Sequence, residues 1–158
     1  MDLNRVYGAL FGAAAADSVG ASFEGMMADD SRVPEMRGGG QFSIEPGEVT
    51  DDTLMMLNLL ETYLEAGYFS RELFLSKMIQ TIRARPKTFG NTTRTLASLV
   101  EQGCYPELAA EVVHMIFGSR TNGSVMRTLP VGLVATSEEE AESLSRKVSS
   151  FTHMDKEA

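Results

Sequence analysis

One short run constrains this chain more than any other: Thr50-Asp51-Asp52-Thr53, placed at the start of a long apolar pattern. Leu54, Met55, Leu57, Leu59, Leu60, Tyr63 and Leu64 recur at the spacing of one helix. Thr50 suits its N-cap, because the side-chain oxygen can accept from a free backbone N–H of the first turn. Asp51 and Asp52 then fall in that turn, beside the positive end of the helix dipole. Two readings are open. The run is a well-capped helix with an acidic start, or it is a set of hard oxygen donors held rigidly for a divalent cation such as Mg²⁺ or Mn²⁺.

The rest of the chain narrows the setting. At 158 residues it is long enough for a real core, and the expectation is one domain over 1–158. A net charge of −8 argues against a nucleic-acid or anionic-membrane partner, both of which want a basic patch. The single cysteine, Cys104, excludes an internal disulfide and fits a reducing, cytoplasmic location. The first residues lack the basic-then-apolar layout of a signal peptide, and the small, apolar run Ala9 to Ala16 is too short to cross a bilayer.

In chain order, residues 3–16 read as a buried helix rich in alanine, ended by Asp17, whose side chain is expected to bond the local backbone. Glu24 is an isolated acid in an apolar stretch, and an exposed loop glutamate is its plain reading. Residues 26–49 carry little periodicity and are punctuated by Gly38-Gly39-Gly40 and Pro46-Gly47. A loop this long that delivers the chain to Thr50 is expected to be functional. Helices follow from Thr50 to about Ala66, from Ser70 to before Pro86, from Gly90 to Gly103 and from Pro106 onward. Ser119 to Arg127 places small polar residues before an apolar run, where free N–H groups could hold a phosphate. Ser137 and Glu140 form a capping box for a last helix ending near Phe151, and Thr152 with Asp155 gives a further start signal. No alternating strand pattern stands out. The expected fold is all-α, with six or seven helices.

Four stretches together resemble one family: Gly8 to Glu24, Thr50 to Thr53, Asn122 to Arg127 with Pro130 to Leu133, and Thr152-His153. Their order and spacing resemble the ADP-ribosylglycohydrolases, with a weaker match at Gly90 to Thr93. The resemblance implies an orthogonal all-helical domain with two divalent ions, Mg²⁺ or Mn²⁺, in a cleft. It implies that Thr50, Asp51 and Asp52 are metal ligands and that Glu24, Asp51 and Asp52 carry the chemistry. It also implies that Asn122, Gly123, Ser124, Val125 and Met126 line the ADP-ribose site and that His153 sits at its rim. It leaves Asp17 structural.

The resemblance also carries a departure. Family members have a second acidic motif of the Asp-x-Asp-Thr kind downstream of Thr-His, and none follows residue 53 here. The expectation is that C-terminal helices are missing: the chain is a fragment or split product, or another chain completes the site, or catalysis is lost, and uncovered surface draws it into a homo-oligomer or a complex with a second chain. Apolar stripes on residues 96–116 and 125–134 would then be uncovered. Two functions stand: metal-dependent hydrolysis of the bond between ADP-ribose and a protein side chain or related conjugate, or a non-catalytic helical ADP-ribose-binding module.

Overall fold

The computed structural model describes residues 2–27, 29, 31, 33–118 and 120–155. Ser119 of the polar run before Arg127 lies outside them. Among the described residues seven α-helices and two 3-10 turns account for the regular structure, and the sole β feature is an isolated bridge between Gly39 and Ile44. The fold is all-α, as the periodicity predicts. Among the described residues no helix is long and apolar enough to cross a membrane. Contacts divide the chain into two compact units, 1–54 and 55–158, the boundary falling after the first turn of α2.

In the first unit, α1 (Leu3–Gly20) is capped by Asp2, whose carboxylate accepts from the Asn4 N–H at 2.9 Å. The expectation of a buried helix over 3–16 is corrected. Leu3, Tyr7 and Phe11 share one face at i, i+4 spacing and are 66%, 56% and 73% exposed. Ser18 is the buried residue of this helix. Apolar content alone does not say that a face is covered. The loop after α1 turns back through Gly38, Gly39 and Gly40, all at positive φ. A side chain at Gly38 would meet the Ile44 carbonyl oxygen at 2.6 Å, and one at Gly40 would strike the Ala21 carbonyl. Glycine is required here for both conformation and space. The turn is closed by paired backbone bonds between Gly39 and Ile44, at 2.7 and 3.1 Å.

α2 (Asp51–Ala66) starts and stops as its sequence predicts, with Gly67 at positive φ ending it. In the second unit its residues Met55, Met56 and Leu59 are buried with Phe74 and Met78 of α3 (Arg71–Ala84), Leu96 of α4 (Asn91–Glu101) and Val113 of α5 (Pro106–Phe117). Val131 of α6 (Leu129–Val134) and Val148 of α7 (Glu138–Ser150) are buried too. Phe69, Phe74 and Phe151 form a mutual cluster with centroids 5.7 to 6.4 Å apart. Ser70 caps α3 as expected, accepting from Leu73 N–H.

Two cap signals resolve differently from their sequence reading. Ser137 accepts from the Glu140 N–H, but the Glu140 carboxylate turns to Thr136, accepting from its N–H and hydroxyl at 2.7 and 2.6 Å. The box is half formed. Thr152 starts no helix within the described residues, because its oxygen is taken by the buried Arg127 side chain at 2.7 Å.

Candidate active site

The site in the first unit is organised by Asp17, near the end of α1. Its Oδ1 accepts from the Thr50 hydroxyl at 2.6 Å. Its Oδ2 accepts from the Thr50 N–H at 2.9 Å, the Thr53 N–H at 3.2 Å and the Thr53 hydroxyl at 2.6 Å. This corrects two expectations. Asp17 bonds 33 and 36 residues away rather than locally, and it supplies the N-cap of α2 in place of Thr50. A carboxylate outcompetes a hydroxyl as acceptor for the free N–H groups of a first turn. Thr50 and Thr53 are both buried, so four donors that would otherwise be unsatisfied find one acceptor.

The single proton of the Thr50 hydroxyl has two acceptors, Asp17 Oδ1 at 2.6 Å and, more weakly, Asp52 Oδ2. Asp52 Oδ2 lies 3.4 Å from that oxygen. Oxygens neighbouring one another around Mg²⁺ sit about 3 Å apart, since each lies ~2.0–2.1 Å from the ion. The pair is therefore spaced to be drawn together by a small hard cation. Electrostatics point the same way. Burial, and then the charge of Asp17, raise the Asp52 pKa. Burial, Asp52 and Asp17 raise that of Glu24, on the turn after α1, against a hydrogen bond from Gln41. Carboxylates that disfavour one another's charge are stabilised by an added cation. Asp51 occupies the first position of α2, half-buried. Among the described residues no three His, Cys, Asp or Glu side chains cluster closely enough to hold a metal by themselves. Thr50, Asp51 and Asp52 place hard oxygen donors, the type that suits a divalent cation, at the start of α2.

The remaining predicted residues lie in the second unit. Asn122 to Ser124 form a turn, and Val125–Arg127 a short 3-10 segment. The Asn122 carbonyl accepts from Val125 and Met126 N–H groups. Among the described residues the N–H groups of Gly123 and Ser124 have no acceptor; Gly123 is half-buried and Ser124 buried. Asn122 and Val125 are exposed, Met126 half-buried and the Ser124 side chain buried. His153 is 2% exposed. It lies against Gly123, where a Cβ would come within 3.0 Å of its Cε1, and its Nε2 is 2.9 Å from the Thr121 hydroxyl. His153 therefore meets anything at the surface through Thr121 and the Gly123 turn.

Sequence reasoning missed the reach of Asp17 and the parts of Thr121 and Arg127. A partial signal existed for Asp17: an acid at the end of an alanine-rich helix, with no basic or capping partner nearby in sequence. For Thr121 nothing short of the fold places it beside His153.

The ADP-ribosylglycohydrolase family model matches residues 1–158. The ADP-ribosylarginine hydrolase Tri1 of Serratia proteamaculans (strain 568) is 40% identical over 99 residues, covering 58% of this chain and 27% of that protein. The ADP-ribosyl-dinitrogen reductase glycohydrolase of Rhodospirillum rubrum is 30% identical over 136 residues, covering 82% of this chain and 44% of that protein. A solved structure described as an ADP-ribosylglycohydrolase-related protein complex superposes with a TM-score of 0.78 at 30% identity, over 98% of this chain and 50% of that one. The chain spans half or less of the length of each of these relatives. With its fold and its whole length matched, this chain belongs to the ADP-ribosylglycohydrolase family.

Proposed function

We propose that the chain takes part in hydrolysing the glycosidic bond between ADP-ribose and a modified protein side chain, in a reducing cytoplasm where Cys104 stays a free thiol. Two relatives are named for ADP-ribosylarginine and for ADP-ribosylated dinitrogen reductase, so ADP-ribosylarginine is the first substrate to test. The observation that carries the reading is the crowding of oxygens at the start of α2, where the Thr50 hydroxyl lies 2.6 Å from Asp17 and 3.4 Å from Asp52.

Thr50, Asp51 and Asp52 would hold Mg²⁺ or Mn²⁺. Bound there, the cation would supply charge to polarise ribose hydroxyls and to favour ionisation of water. The chain's own groups do the rest. Within the second unit, the Gly123 N–H, which has no acceptor among the described residues, supports phosphate binding. Glu24, with its raised pKa, takes a proton from the attacking water. The water oxygen bonds to the anomeric carbon as the bond to the side-chain nitrogen breaks, and that nitrogen gains a proton.

The test is release of ADP-ribose from ADP-ribosylarginine with Mn²⁺. Release by the native chain should be lost in Glu24→Gln and Asp52→Asn. Equal release by all three would contradict these roles. A second reading, ADP-ribose binding without catalysis, draws on the lack of a three-residue acid cluster among the described residues. Binding of ADP-ribose with no release in any form would favour it. On α5, Leu108 and Met115 share one face and are 50% and 75% exposed, which supports association with a second copy or a complementing chain.

A further inference from the structure

Glu24 sits on the short turn that follows α1, and the glycine-rich turn after it folds back onto that same turn. Three contacts join them, all inside the first unit. The Arg37 guanidinium lies over the Phe23 ring, 4.6 Å from the centroid. Gly40, at φ 67°, packs backbone on backbone: a Cβ there would lie 2.4 Å from the Ala21 carbonyl oxygen and 3.2 Å from Ser22 Cα. Gln41, the next residue, hydrogen-bonds the Glu24 side chain.

The last contact fixes the direction of an amide. A carboxylate only accepts, so Gln41 donates through Nε2 and turns Oε1 the other way. Oε1 is found against Gly25, where a Cβ would come within 3.2 Å of it. Gly25 is also at φ 77°, a conformation that favours glycine. The pairs Glu24-Gly25 and Gly40-Gln41 therefore interlock, each glycine making room for the other strand's contact. Ala21 and Ser22, the seat of Gly40, are buried, whereas Glu24 and Gln41 are exposed. The joint is anchored below and presents its polar pair at the surface.

We propose that Gln41 is a positioning residue for Glu24, held in reach of it by the Gly40 seat and the Arg37–Phe23 stack. This rests on the proton-accepting role given to Glu24 above. An exposed glutamate left alone samples many rotamers, and a general base works only within hydrogen-bond reach of the water it deprotonates. One fixed amide donor removes much of that freedom. It also favours the charged carboxylate, against the rise imposed by burial, Asp52 and Asp17, so the group is kept in the form that accepts a proton.

A spectrum and an assay test this separately. In ¹H–¹⁵N spectra of the native chain without substrate, the Gln41 side-chain amide signals should differ clearly from those of Glu24→Ala. Coincident signals would overturn the proposal and leave the role of Glu24 standing. In hydrolysis of ADP-ribosylarginine with Mn²⁺, Gln41→Met keeps the side-chain length and removes the donor. Its kcat should fall about tenfold or more with KM unchanged. An unchanged kcat, or a change in KM alone, would overturn the positioning role. Gly40→Ala should reproduce the fall. Gly39→Ala shares the positive φ, but its Cβ meets nothing within 4 Å, so it should retain more activity. Equal loss in both would overturn the Gly40 seat, since backbone strain alone would then account for it. No release by the native chain would overturn the role of Glu24, and the amide spectra would still decide whether Gln41 holds it.

Discussion

Asp17 accepts the Thr50 hydroxyl proton at 2.6 Å across 33 residues of sequence. The contact does two things at once. It fixes where α2 begins, and it holds the Thr50 oxygen 3.4 Å from Asp52 Oδ2. Of the two readings of the Thr50–Thr53 run, the helix cap is carried by the hydrogen bonds to Asp17, and the cation site is the proposal tested below.

Replacing Asp17 with Asn should destabilise the metal-free chain by about 2 kcal/mol, since an amide nitrogen would then face donors that a carboxylate now accepts. Urea unfolding measures this. A loss below a few tenths of a kcal/mol would mean the four bonds to Thr50 and Thr53 carry no weight.

Asp52→Asn should act in the opposite direction. The raised pKa of Asp52 means that, just above the usual carboxylate range, the folded chain holds a proton that the unfolded chain has released. Stability from this group is therefore gained as pH falls through the raised value and lost as pH rises through it. At neutral pH, without metal, Asp52→Asn should melt higher than the native chain, and the gap should close as the pH is lowered. His153 gives the native profile a contrary slope. Its pKa is lowered to about 4, so its share is lost as pH falls from about 6.5 toward that value. The difference between native and Asp52→Asn melting curves cancels this common part. A lower melting temperature for Asp52→Asn at neutral pH would contradict the crowding of charge at α2.

Gly123→Ala should disturb the second unit more than an exposed loop alanine ordinarily does. The new Cβ would lie 3.0 Å from His153 Cε1 and 3.1 Å from Nε2, so the buried ring must give by a few tenths of an ångström. We expect a loss on the order of 1–3 kcal/mol, as for overpacking, with a shifted His153 ring resonance. An unchanged resonance would show that the ring is not seated on this glycine.

Much of the helical layout was legible because helix signals are local. Gly67, Ser70, Pro86, Gly103 and Pro106 punctuate the chain where the structure does. The misreadings share a cause. Asp17 and Thr50, Arg127 and Thr152, and Thr121 and His153 are pairs 25 to 33 residues apart, and no local rule joins them. Thr50 and Thr152 both look like caps because a threonine before a helix usually accepts. At Thr50 a distant carboxylate makes the hydroxyl donate instead, and at Thr152 a buried guanidinium takes the oxygen. The exposed face of α1 was hidden for a related reason. Leu3, Tyr7 and Phe11 read as core residues in isolation, whatever the fold later covers.

The central claim is that the start of α2 is a cation site held in shape by Asp17, and Mn²⁺ binding followed by electron paramagnetic resonance tests it most directly. The account predicts weak but saturable binding to the native chain, since Thr50, Asp51 and Asp52 form only part of a shell. That binding should be lost in Asp51→Ala and Asp52→Ala and weakened in Asp17→Asn. Unchanged Mn²⁺ affinity in both alanine variants would leave the run as a helix cap and nothing more.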